Sequence, residues 1–183
     1  MTSNDPLADR LAYHDRLPLG WAPLEVLPAP EQLQQMAEQN LRVLAVVSSL
    51  EERHLPRGEG DERLEQELER VHQKLDMLLV LFGQFLRRMD PPAPMHPLRL
   101  TVAGVSWEAA PPAGSLGLLS LHLHPCMPEA FIWPARLRDG DIARSCALFE
   151  PMGEALEAAL EKHVFLHHRR SVAGSRPVTA RAS

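Results

Sequence analysis

The chain has 183 residues, 45% of them apolar, and a formal net charge of −5. That acidic balance argues against a general nucleic-acid binder, which would turn a basic face to the phosphate backbone. Cys126 and Cys146 cannot build a disulfide framework, Met1–Arg10 carries no signal peptide, and the most apolar run, Met77–Phe82, is far too short to span a bilayer; a reducing cytoplasm without membrane insertion is expected.

Residues 1–16 are polar and read as a flexible N-terminal arm. Residues 17–30 read as a first strand region: Leu17–Leu27 is apolar, with Trp21 and Val26, but is interrupted by Pro18, Gly20 and Pro23. Residues 31–90 read as an inserted helical region serving oligomerisation. Pro30 suits a first helical turn, and Glu31 suits the positive end of the helix dipole. The first helix is expected over Glu31–His54, with heptad positions at Leu33, Met36, Asn40, Val43, Val47, Leu50 and His54. Asn40 falls on this seam, where one polar residue can fix register and oligomer state. The competing reading puts Asn40 at the edge of a broader stripe built on Leu41 and Leu44.

Arg57-Gly-Glu-Gly60 separates the two helices, and Asp61 is a fitting N-cap for the second. From Leu64 to Met89 every a and d heptad position is apolar: Leu64, Leu68, Val71, Leu75, Leu78, Phe82, Phe85 and Met89. Alternating steps of four and three are what a left-handed helical seam requires. A helix over Glu62–Met89 is about 40 Å long, more than a small domain is wide. Part of the stripe therefore needs a second helix or a second chain. Glu65, Glu67, His72 and Lys74 flank the first half of the seam, as on a narrow exposed coiled coil. Leu79, Leu81 and Leu86 flank the second half, as in a bundle of more than two helices.

Asp90-Pro-Pro-Ala-Pro94 ends the helix, and from Pro97 the apolar period becomes strand-like. Leu98, Leu100 and Val102 alternate, and Val105 and Trp107 follow across Gly104. Leu119, Leu121 and Leu123 oppose Ser120, His122 and His124. Ala130–Arg138 and Ala143–Glu150 supply further strands. Short strands with Pro- and Gly-rich turns predict a small antiparallel barrel. A final helix is expected over Met152–Arg170, so that barrel and helix occupy residues 97–170, and residues 171–183 form a basic tail.

No catalytic constellation is visible: there is no GxSxG, P-loop or dinucleotide fingerprint. His122-Leu-His124-Pro-Cys126 has zinc-type donors, but Pro125 ends the strand that would align them and no fourth ligand is evident. His163 and His167 are spaced as a helical metal pair but lack the HExxH glutamate. The expectation is no metal and no catalytic residue. His167, His168, Arg169, Arg170 and Arg176 form a cationic group at the end of the last helix, where the dipole favours cations. The same group would suit an anion or an acidic partner.

The heptad helix, Leu98–Glu108 (LRLTVAGVSWE), His122-Leu-His-Pro125 and the ending His163–Arg176 (HVFLHHRRSVAGSR) occur in an order that resembles the PilZ domains. More specifically, the chain is similar to the atypical, tetramer-forming PilZ branch, filed among cyclic di-GMP receptor proteins. The resemblance covers roughly residues 17–176. It implies an α+β fold: a six-stranded antiparallel barrel with two long inserted heptad-bearing helices and a C-terminal helix, assembled as a homotetramer. Typical PilZ receptors carry RxxxR ahead of the barrel and [DN]xSxxG on it. Aligning Gly104 with the last glycine puts Thr101 at the serine and Arg99 at the acid or amide, and Arg87-Arg88 are adjacent rather than spaced. The resemblance thus implies a non-enzymatic adaptor in cyclic di-GMP signalling of a pilus or motility apparatus. It would have a protein partner, no cofactor, no nucleic-acid partner, and weak or absent binding of the dinucleotide. One rival reading is a direct receptor for cyclic di-GMP, or another anion, near Arg99 and the Arg169–Arg176 group; a second is a metal-dependent enzyme using the histidines.

Overall fold

In the computed structural model, residues 6–52, 62–89, 93–138 and 144–174 are described. The first strand, β1 (Ala12–Pro23), is the longest and has two partners. Its first part, Ala12–Pro18, runs antiparallel to β2 (Met95–Thr101), and its second part, Leu19–Pro23, runs antiparallel to β4 (Leu116–Leu121). With β3 (Gly104–Trp107), β5 (Phe131–Arg138) and β6 (Ser145–Phe149), the order around the sheet is β1-β2-β3-β6-β5-β4, closed into a six-stranded barrel. Every pairing is antiparallel. Closure gives every strand two neighbours, which limits unpaired backbone in so small a sheet.

The expected alternation sets which side chains fill the barrel. Leu98, Leu100, Val105, Trp107, Leu119, Leu121, Phe131, Trp133 and Ala147 are buried, and the residues between them in β4 lean outward. Each fully buried Leu or Phe contributes about 1.5–3 kcal/mol. Gly114, in the β3–β4 connection, has a φ of +84°, a backbone setting that side chains other than glycine's resist.

Between β1 and β2 the chain forms α1 (Pro30–Glu52) and α2 (Glu62–Met89), and after β6 it ends in α3 (Glu154–Gly174). Pro30 occupies the first position of α1, and the Gln32 side chain accepts a hydrogen bond from the Ala29 backbone N–H at 3.0 Å, one arm of a capping box. The fully buried Val43 and Val47, with Leu44, place α1 against β5 and α3. Leu156, Leu160 and Val164 place α3 against β1 and α1. The barrel, α1 and α3 share one continuous core.

Three expectations need correction. Strand β1 starts at Ala12, inside the expected 1–16 arm, and Leu7 is fully buried. The exposed His14, Asp15 and Arg16 hide this stretch from an apolar-pattern reading, yet pairing with β2 orders their backbone. The stripe of α1 does not seek a second chain, because the barrel and α3 cover it. Asn40 accordingly lies on no oligomer seam: it is 1% exposed and bonded within its own chain. The expected His54 position, the Asp61 cap and the tail beyond residue 174 lie outside the described residues.

Candidate functional site

The β2–β3 turn carries Arg99, Thr101 and Gly104. Thr101 is fully buried, and its Oγ1 accepts hydrogen bonds from the backbone N–H groups of Ala103 and Gly104 at 3.2 and 3.1 Å. The same hydroxyl donates to the Gly104 carbonyl at 2.9 Å. It is consumed in shaping the turn. Gly104 sits so close to β6 that an added Cβ would strike the Ala147 carbonyl oxygen. Arg99 donates through Nη2 to the backbone carbonyls of Ala8 and Arg10, at 2.9 and 3.0 Å, and so ties the N-terminal turn to the barrel.

Arg99 also borders a cleft of about 390 Å³ over β1, β2 and β3. Register explains the grouping, since His14 pairs with Arg99 and Arg99 with Ser106, putting the three in one row across the sheet. Arg16 and Arg144 add cationic groups at its margin, and Asp15 and Glu108 add opposing carboxylates. Arg144 approaches Glu108 at 3.9 Å, and Asp15 accepts a hydrogen bond from the Arg16 backbone N–H. The positive charge is thus partly neutralised within the cleft, which weakens it as an anion site.

On α2 the heptad residues Leu68, Val71, Leu75, Leu78, Phe82 and Phe85 are all exposed, between 44% and 61%. Met77, Val80 and Leu81 widen the apolar surface. No other described element packs extensively on this helix. The side chains of Leu64 and Met89 lie outside the described set. Among the described residues, these side chains form an exposed apolar face along the helix.

The cationic group at the end of α3 is divided. His167 Nε2 meets Glu51 Oε1 at 2.7 Å, and Arg170 Nη1 donates to Glu51 Oε2 at 2.8 Å. His168 Nδ1 bonds the Ala12 carbonyl oxygen at 2.7 Å. Arg169 is exposed, and Arg176 lies outside the described residues. Most of the group is therefore engaged internally. Burial alone would raise the Glu51 carboxyl, but the hydrogen bond and charge of His167, with His163 and Arg170, outweigh it and hold the group below the usual carboxylate range. His163 is buried, and desolvation, reinforced by the charge of His167, lowers its imidazole to about 4. Tyr13 of β1 stacks on His167 at 4.6 Å and meets His163 edge-on at 5.7 Å. Burial pushes its phenol well above the ordinary value. Glu51 and Tyr13 escaped the sequence reading because they lie far from the histidine pair in the chain; that pair was the only signal.

The stretch His122–Cys126 does not bring its donors together. Strand β4 ends at Leu121, and His124 Nδ1 accepts a hydrogen bond from the Cys126 backbone N–H at 3.1 Å. Among the described residues, the His, Cys, Asp and Glu side chains that converge as ligands would are Glu51, His163 and His167. No described helix is long and apolar enough to cross a membrane.

A small closed barrel, opened after its first strand for two helices and ended by a third, defines the class: a PilZ-like α+β domain. Residues 41–177 match the family described as "Atypical PilZ domain, cyclic di-GMP receptor", and the chain belongs to that family. Among solved structures it is similar to a pathogenic protein from Xanthomonas campestris, described as a new tetrameric PilZ domain self-assembled via an unusual helical bundle. The identity is 27% and the TM-score 0.64, over 91% of this chain and 92% of the other. No curated protein matches the chain.

Proposed function

We propose that this chain is a non-enzymatic, cytoplasmic adaptor of the PilZ type. It assembles as a homotetramer through α2 and acts in cyclic di-GMP-linked control of a pilus or motility apparatus, with weak or no binding of the dinucleotide itself. The observation that carries the reading is the solvent-facing heptad stripe of α2, beside a barrel, α1 and α3 whose described residues build one common core. Burying that stripe between copies removes its contact with water, and the tetrameric Xanthomonas relative supports four as the number. Four barrels on one stalk raise the effective concentration for a multivalent partner without any new contact. Weak ligand binding is supported by Arg99 and Thr101, whose polar groups already serve the chain's own backbone. Light scattering of the purified full chain should give a mass about four times 20.5 kDa. Calorimetry with cyclic di-GMP should give no saturable heat. A monomer would sink the assembly claim, and micromolar binding would sink the adaptor claim.

A second reading, direct reception of cyclic di-GMP, rests on the cleft where Arg16, Arg99 and Arg144 gather. Guanidinium forks suit phosphates and guanine edges. On that reading the calorimetric titration saturates, and Arg144→Glu abolishes the heat.

A further inference from the structure

His163 and His167 stand one turn apart on α3, and the last turn of α1 delivers Glu51 against them. One ligand atom from each of the three lies within 4.8 Å of the other two. His163 is the member that calls for an explanation. It is 1% exposed, and neither ring nitrogen has a hydrogen-bond partner. A neutral imidazole carries one donor and one acceptor, and burying both unmet is costly. Leucine would fill the same space without that cost. Tyr13 Oη, on the ring that walls the cluster, is a third buried polar atom without a hydrogen-bond partner. Three such atoms beside a half-buried carboxylate describe a polar cluster that is incomplete on its own.

We propose that Glu51, His163 and His167 bind a divalent transition metal of the zinc class, which fastens the end of α1 to α3. Two imidazoles and a carboxylate suit zinc or cobalt and not the oxygen-seeking calcium or magnesium. Zinc holds such atoms at about 2.0–2.2 Å, so tetrahedral ligand atoms lie roughly 3.3 Å apart. His167 Nε2 and Glu51 Oε1 are already at 2.7 Å, and rotation of the side chains brings in His163. The metal replaces the His167–Glu51 hydrogen bond, and the proton shared there leaves to solvent or moves to His167 Nδ1. Arg170 keeps its bond to Oε2 and orients the carboxylate so that Oε1 faces the ion. The guanidinium charge weakens binding relative to a site without it.

The test uses the full chain without an affinity tag, stripped with a chelator. Zinc is titrated against a chromophoric competitor, and cobalt is added separately for its visible absorption. The expected result is one zinc per chain, a raised melting temperature, and a cobalt spectrum of low coordination number. Glu51→Gln and His163→Leu each lower zinc affinity by about tenfold or more. His124→Ala, in the other histidine-bearing stretch, leaves affinity and stoichiometry unchanged. Circular dichroism checks that the variants fold, and Glu51→Gln keeps hydrogen-bonding groups on His167 and Arg170 if His163→Leu does not. Absence of stoichiometric zinc binding overturns the proposal. So does binding that both variants retain, or that His124→Ala alone removes.

Discussion

The side-chain amide of Asn40 closes both backbone hydrogen bonds of Ile132. Its Nδ2 donates to the Ile132 carbonyl oxygen at 2.8 Å, and its Oδ1 accepts from the Ile132 N–H at 2.9 Å. Ile132 pairs with Ser120 of β4 on one side, whereas β6 pairs with β5 only from Ala135 onward. Asn40 therefore stands in for a missing strand at the open flank of β5. Asn40→Leu leaves a buried donor and acceptor unmet and should cost about 2–5 kcal/mol. Oligomer mass should stay unchanged. Urea unfolding at fixed protein concentration, alongside light scattering, checks both; a lost oligomer with an unperturbed fold would contradict the intrachain role.

The β2–β3 turn gives a second contrast. Thr101→Val preserves shape but removes the hydroxyl that serves Ala103 and Gly104, and should cost about 1–3 kcal/mol. Thr101→Ser, which keeps the hydroxyl, should cost markedly less. Gly104→Ala must push a Cβ into the Ala147 carbonyl and the Leu148 Cα, and should cost about 1–3 kcal/mol or more. Thermal melts order the three. Equal melting temperatures for Val and Ser at position 101 would show that the hydroxyl carries no structural weight.

On α2, Leu75→Asp together with Phe82→Asp places unpaired charges in the seam. Both side chains are exposed within the chain, so the barrel should fold unaltered while the assembly comes apart. Light scattering should drop to the 20.5 kDa of one chain, with unchanged near-ultraviolet circular dichroism from the barrel tryptophans. A mass that stays near fourfold would place the interface elsewhere.

Acid sensitivity follows from His163. Its folded-state value of about 4 lies below the ordinary 6.5, so between these values the unfolded chain binds the proton and the folded chain does not. Stability is thus complete above pH 6.5 and is lost as pH falls toward 4. Glu51, also lowered, adds a loss of the same sign in stronger acid. In chelator-containing buffer the His163 share should be on the order of 1–3 kcal/mol. His163→Leu should flatten this limb and be neutral or stabilising at pH 7. Denaturant midpoints across pH 4–7 measure it, and an unchanged slope in the variant would contradict the assignment.

Repetition along the chain made much of the architecture legible. The heptads marked α2 from Glu62 to Met89, and the alternation of Leu119 and Leu121 marked a strand with one buried face. Both signals are local, because a side chain's direction follows from its position along a helix or strand. What covers a face is not local. The stripes of α1 and α2 read alike as heptads, yet the barrel and α3 cover the first and leave the second exposed. Asn40 has the same sequence signature at a coiled-coil seam as against the backbone of Ile132, 92 residues away. His163 and His167 could be paired on paper, but Glu51 joins them across 116 residues, through the packing of α1 on α3. Periodicity states which residues turn inward together; their partners are chosen when distant segments compete for the same buried surface.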